Sequence, residues 1–156
     1  MVQHDGRNRR QDAGDRIPFV ADELFLPHGR SSLAVVGVEG DEGLVARAAA
    51  NAERNGIDNA RFHAADLLLN HASAAWARGE YGKLLLDPPR SGAAAVLDYL
   101  PRKGTDRIVY VSCHPGSLAR DAGILVNRHG FRLAEAGVMD MFPHTAHVES
   151  IALFIR

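Results

Sequence analysis

The chain has a single cysteine, Cys113, which excludes an intrachain disulfide framework, a four-cysteine zinc site and a self-contained iron–sulfur cluster. It also lacks an excess of one charge. Eighteen Lys and Arg stand against 19 Asp and Glu, a formal net charge of -1, so no overall basic field draws it onto nucleic acid or an anionic membrane. Any nucleic-acid contact has to be local. No apolar run approaches the roughly 20 residues of a membrane span, and the polar opening from Met1 to Arg16 carries no apolar segment of the secretory kind. These absences lead to the expectation of a cytoplasmic protein with one thiol in a reducing compartment. What is present suits one compact domain: 156 residues, 46% apolar and 24% charged, enough to bury a real core.

Residues 1–16 place Arg7, Arg9, Arg10 and Arg16 among polar neighbours with almost nothing to bury, which predicts a disordered segment ahead of one domain over 17–156. From Leu33 onward short β-branched runs alternate with alanine-rich stretches. Strands are expected over 33–39, 61–64, 83–87 and 107–112, and helices over 41–55, 72–77, 93–100 and 118–128. In the first helix Leu44, Val45, Ala48 and Ala52 share one face, and Gly56 stops it. The strands are nearly all apolar, as when helices cover both faces of a parallel sheet. A doubly wound α/β fold follows. Residues 131–139 and 148–155 read as two more strands whose connection is too short for a crossover helix, so they should pair antiparallel.

In an open parallel sheet, ligands bind beyond the carboxyl ends of the strands. Four functional-looking residues stand there: Glu39, Asp66, Asp87 and Cys113. A carboxylate at such a strand end, here Glu39, can accept hydrogen bonds from the ribose hydroxyls of a nucleoside cofactor, or it can simply cap the next helix. Asp66 suits an adenine amino group, or a plain N-cap or turn. In Asp87-Pro88-Pro89-Arg90 the prolines hold the chain extended and present Asp87 and Arg90 to the cleft, unless the segment is only a structural turn. Cys113 is either a small buried hydrophobe or a nucleophile, its thiolate favoured by the helix that Pro115, Gly116 and Ser117 introduce. His114, His144 and His147 with Cys113 match no usual zinc spacing, and no metal site is expected. Glu149, at the start of the last strand, is a surface carboxylate or a base returned to the cleft by the terminal hairpin.

Val35-Val-Gly-Val-Glu39, Leu84-Leu-Leu-Asp-Pro-Pro-Arg-Ser-Gly92, Val109-Tyr-Val-Ser-Cys-His-Pro-Gly-Ser-Leu-Ala-Arg-Asp121 and Asp140-Met-Phe-Pro-His-Thr-Ala-His-Val-Glu-Ser150 closely resemble, in family order, the S-adenosylmethionine-dependent RNA uracil-5-methyltransferases. The last segment is more similar to the enzymes acting on 23S ribosomal RNA than to the tRNA branch. The resemblance implies a Rossmann-like methyltransferase domain in which Cys113 adds to C6 of a uracil and makes C5 nucleophilic, and Glu149 removes the C5 proton after methyl transfer. It further implies that Glu39 holds the cofactor ribose, that Asp66 and Asp87 line its pocket, and that the target base is looped out or flipped.

The family's glycine-rich turn ahead of Glu39 has no counterpart here beyond Gly29, and residues 1–32 look foreign to it. The resemblance therefore implies a C-terminal catalytic-domain fragment that has lost its first strand and glycine-rich loop, without the family's RNA-binding barrel, middle domain or cluster cysteines. A sheet missing a central member would expose apolar edges. Two functions stay open: an RNA uracil-5-methyltransferase domain, and a non-catalytic remnant that at most binds cofactor or RNA weakly. An amino-group methyltransferase using Asp-Pro-Pro fits less well, because those enzymes usually follow the prolines with an aromatic residue and Arg90 stands here.

Overall fold

The computed structural model describes residues 34–100, 104–140 and 148–156, and residues 16–19 as backbone. Its elements in chain order are β1 (Arg16–Phe19), β2 (Ala34–Glu39), α1 (Glu42–Arg54), β3 (Ala60–Ala64), β4 (Lys83–Leu86), α2 (Ala94–Leu97), β5 (Arg107–Ser112), α3 (Pro115–Asn127), β6 (Arg132–Met139) and β7 (Glu149–Ile155). Among the described residues they form a seven-stranded sheet in the order β3-β2-β1-β4-β5-β7-β6. The β3-β2-β1-β4-β5 portion is parallel, and β7 pairs antiparallel with both β5 and β6. This is the expected α/β architecture with its antiparallel hairpin.

The expectation of a lost first strand is overturned. A first strand is present: Arg16–Phe19 pairs with Ala34–Gly37 of β2 on one side, and Phe19 pairs with Leu85 of β4 on the other, so the central position of the sheet is filled. Arg16 accordingly belongs to a strand rather than to a disordered opening. Residues 1–15, and the region around Gly29 where a glycine-rich loop was sought, lie outside the described residues.

The helices follow local chemistry. Asp41 caps α1 through Oδ1, which accepts from the Leu44 N–H at 2.9 Å. Glu42 and Arg54 sit at the ends that the helix dipole favours for their charges, and Gly56 at φ 65° turns the chain out. The helix α3 begins three residues before the expected start, at Pro115, because His114 takes the capping role: its Nδ1 accepts from the Ser117 N–H at 3.1 Å. The Ala72–Ala77 stretch is not a helix. Asn70 Oδ1 accepts from Ala72 N at 2.9 Å and the His71 carbonyl from Ala74 N at 2.8 Å, which divides the segment into separate turns. The helix expected over 93–100 shrinks to Ala94–Leu97.

Most of the core lies between α2, α3 and one sheet face. Leu84, Leu86, Ile108, Tyr110 and Phe154 pack there against Val96, Leu97, Leu125 and Phe131. Each large apolar side chain so buried contributes about 1.5–3 kcal/mol. A smaller cluster of Val35, Ala52, Ile57, Ala60 and Leu85 joins α1 to the opposite face. The strands β5 and β7 therefore alternate between buried and half-buried residues instead of being sealed on both sides.

Candidate active site

The carboxyl ends of β2, β3 and β4 open onto a cleft of about 190 Å³, and Glu39, Asp66 and Asp87 all line it, with Leu67, Pro88 and Ala93 among its other walls. Three carboxylates from separate parts of the sequence are thus gathered at one opening. Glu39, last in β2, uses Oε1 to accept from the N–H groups of Gly40 at 2.6 Å and Asp41 at 3.1 Å. It shapes the turn but does not cap α1, which Asp41 does. Asp66 is a turn former as well as a wall: Oδ1 accepts from Leu68 N at 2.9 Å, and its carbonyl accepts from Leu69 N at 3.0 Å. His71 Nε2 lies 2.7 Å from the same carbonyl, and since a carbonyl only accepts, this nitrogen carries the hydrogen. Asp87 is half-buried and begins the Pro-Pro-Arg-Ser-Gly loop, which the Gly92 N–H closes on the Pro89 carbonyl at 2.8 Å.

Cys113 and Glu149 stand at the next strand ends rather than in the cleft wall. Both are half-buried, and Cys113 is a free thiol. Ser112 of β5 pairs with Ser150 of β7 in the last pair of that antiparallel register, and Cys113 and Glu149 are the residues next to it on either strand. Neighbouring strands run about 4.8 Å apart. Thiol and carboxylate thus belong to adjoining strand ends on the edge of the sheet that carries the cleft. His114 is engaged as a helix cap. Among the described residues no group of three or more His, Cys, Asp and Glu is placed to hold a metal ion. His144 and His147 lie outside them.

Sequence reasoning missed a polar cluster beneath the Asp87 loop. Asp121 on α3 is fully buried, and its Oδ2 accepts from the Tyr110 hydroxyl at 2.5 Å and the Ala93 N–H at 2.7 Å. Its Oδ1 accepts from Arg120 Nε at 2.8 Å, and Arg120 Nη2 donates to the Ser91 carbonyl at 2.8 Å. Burial, followed by the hydrogen bond to Asp121 and its negative charge, pushes the Tyr110 phenol well above its ordinary range. The signal available in the sequence was a lone Asp on the inward side of a helix, a position that charged residues occupy only when paired.

The sheet order, with an antiparallel strand inserted beside β5 and a carboxylate-lined cleft at the parallel strand ends, defines an α/β methyltransferase fold. Magnesium protoporphyrin IX methyltransferase from Synechocystis PCC 6803 shares it at a TM-score of 0.68 and 17% identity, over 93% of this chain and 71% of that one. The chain belongs to the tRNA (Uracil-5-)-methyltransferase family, which it matches over residues 26–156. The portion foreign to the family is thus shorter than the expected 1–32. The Pyrococcus abyssi tRNA (uracil-54, C5)-methyltransferase, solved in complex with S-adenosyl-L-homocysteine, is 31% identical with a TM-score of 0.74, covering 91% of this chain and 34% of that one. The 23S rRNA (uracil(1939)-C(5))-methyltransferase RlmD of Xanthomonas euvesicatoria is 70% identical over 131 residues, and that of Stenotrophomonas maltophilia 68% over 129. The chain spans 30% and 29% of the length of these two relatives. No helix among the described residues is long and apolar enough to cross a membrane.

Proposed function

We propose that this chain carries the catalytic core of a methyl transfer from S-adenosylmethionine to C5 of a uridine in RNA, with 23S ribosomal RNA as the substrate class. The observation that supports the reading is the β5–β7 pairing, which ends at Ser112–Ser150 and so leaves a free thiol and a carboxylate each next to that last pair, beside a cleft with three acidic walls. The cleft fits the cofactor in kind: Glu39 would hold the ribose hydroxyls, Asp66 the adenine side, and Asp87 the wall toward the substrate. S-adenosylmethionine, when bound, supplies the methyl group.

Uracil C5 is a weak nucleophile on its own. Addition of the Cys113 thiolate to C6 forms an S–C6 bond and moves the C5–C6 π electrons onto C5 and O4, which makes C5 reactive. Cys113 sits two residues ahead of α3, at the strand end that faces the cleft edge. Once C5 carries the methyl group, Glu149 accepts the C5 proton; the electrons of that C–H bond restore the C5–C6 double bond and expel the thiolate. A base within a stacked helix cannot reach a half-buried sulfur, so the uridine has to be extruded.

A covalent trap tests this. RNA containing 5-fluorouridine has no C5 proton to surrender, so in the presence of S-adenosylmethionine it should remain bound to Cys113 through denaturing electrophoresis. Cys113→Ala should abolish the band. Absence of an adduct with the unaltered chain would favour the remnant, a reading that the chain's 30% coverage of its relative keeps in play.

A further inference from the structure

We infer that Tyr110, Asp121 and Arg120 form a positioning network that fixes the Asp87–Ala93 loop, and with it one wall of the cleft, to the same β5–α3 segment that bears Cys113. A fully buried carboxylate costs several kcal/mol of desolvation, so its partners indicate what it is kept for. Here they include the backbone end of a loop: Ala93, itself a buried core residue, sits where the Asp87 loop enters α2. Asp121 Oδ2 takes the Ala93 N–H, the Tyr110 hydroxyl lies 3.1 Å from that same N–H, and Arg120, bound to Asp121 Oδ1, reaches the Ser91 carbonyl. Gly92 lies between them, at φ 83° and with no room for a Cβ against Asp121 and Arg120. The far end of this loop is Asp87-Pro88-Pro89, the cleft wall itself.

Tyr110 precedes Cys113 by three residues on β5, and Arg120 and Asp121 follow it on α3. The residues flanking the thiol on both sides therefore hold the loop opposite, and thiol and cleft wall move as one body. The network grips the loop at two backbone groups on either side of Gly92, the Ser91 carbonyl and the Ala93 N–H.

The experiment uses the full chain and the variants Asp121→Asn and Tyr110→Phe, the first replacing the charge and one of the two acceptor oxygens by an NH2 group, so that Arg120 and the Ala93 N–H cannot both be served, and the second removing only a hydroxyl. Hydrogen exchange at the Ala93 amide is compared with that at Val35, whose N–H donates to the Asn59 carbonyl far from the loop. Asp121→Asn should speed Ala93 exchange about tenfold or more, the loss of one charge-assisted bond, while Val35 stays unchanged; Tyr110→Phe should give a smaller rise of the same selectivity. S-adenosylhomocysteine affinity should fall severalfold in parallel, an arm that rests on the function proposed above. Ala93 exchange that is unchanged, or that rises only in step with Val35, overturns the network. Should Asp121→Asn fail to fold, Tyr110→Phe decides by the same comparison. If the unaltered chain binds no S-adenosylhomocysteine, the proposed function fails while Ala93 exchange still judges the network.

Discussion

Replacing Gly92 by alanine separates two costs that are usually confounded. At φ 83° an L-residue pays for a left-handed backbone, about 1–2 kcal/mol. The new Cβ would also lie 2.4 Å from Arg120 Nη2, 2.5 Å from Asp121 Oδ2 and 3.0 Å from Ser117 Cβ. Arg120 can give way, since its side chain is 50% exposed, but Asp121 at 0% has nowhere to go. Relief has to come from the loop, at the expense of at least one bond to the carboxylate, worth about 1.5–3 kcal/mol. The sum is about 2.5–5 kcal/mol, a large share of the roughly 5–15 kcal/mol that holds a domain together. Gly130 is the internal control: its φ is 71° and nothing lies within 4 Å of an added Cβ, so Gly130→Ala incurs the backbone cost alone. With a urea slope of about 2 kcal/mol per molar, Gly92→Ala should lower the unfolding midpoint by about 2 M, and Gly130→Ala by less than about 1 M. Equal shifts for the two variants would refute the claim that Gly92 is pressed against a fixed carboxylate.

Other outcomes follow from the site. Glu149→Gln should let an adduct to ordinary uridine persist after methyl transfer, visible on a denaturing gel with labelled RNA; rapid release from this variant would remove Glu149 as the base. Glu39→Ala should weaken S-adenosylhomocysteine binding by about tenfold or more, the value of a hydrogen bond to a charged group, in a calorimetric titration, and unchanged affinity would remove the ribose assignment. Alkaline pH tests the buried phenol. Because the folded-state pKa of Tyr110 is raised above its unfolded value, the unfolded chain releases the proton first, so stability is fully present below about pH 10 and declines as pH rises beyond it. Tyr110→Phe should flatten that decline in urea titrations between about pH 9 and 11.

The alternation of strands and helices was legible because parallel strands buried between layers leave apolar runs, and β2, β3, β4 and β5 begin or end within one residue of their expected bounds. The antiparallel hairpin was equally plain, whereas the helix cap, weighed at Glu39, falls to Asp41. β1 was not, because Arg-Ile-Pro-Phe is four residues long and contains a proline, which argues against a central strand; the flanking β2 and β4 supply the pairing that local sequence withholds. The 72–77 stretch misled in the other direction: alanines favour a helix, but six residues seldom repay its nucleation, and the Tyr81 hydroxyl additionally binds the Trp76 carbonyl at 2.5 Å. For the site, residues at strand ends could be listed from sequence, since the fold dictates where strands finish. The Tyr110–Asp121 contact could not, because it depends on how α3 seats against the sheet.

The order of β7 and β6 in the sheet bears on how the molecule is made. The ribosome delivers β6 before β7, yet among the described residues β7 is the one strand with which β6 pairs. A nascent chain that has emerged only as far as Met139 thus carries an outer strand that has α3 to lean on but no strand to pair with, and Glu149 is not yet part of it. Quality control during translation would encounter an unpaired sheet edge until the final strand slides in between β5 and β6.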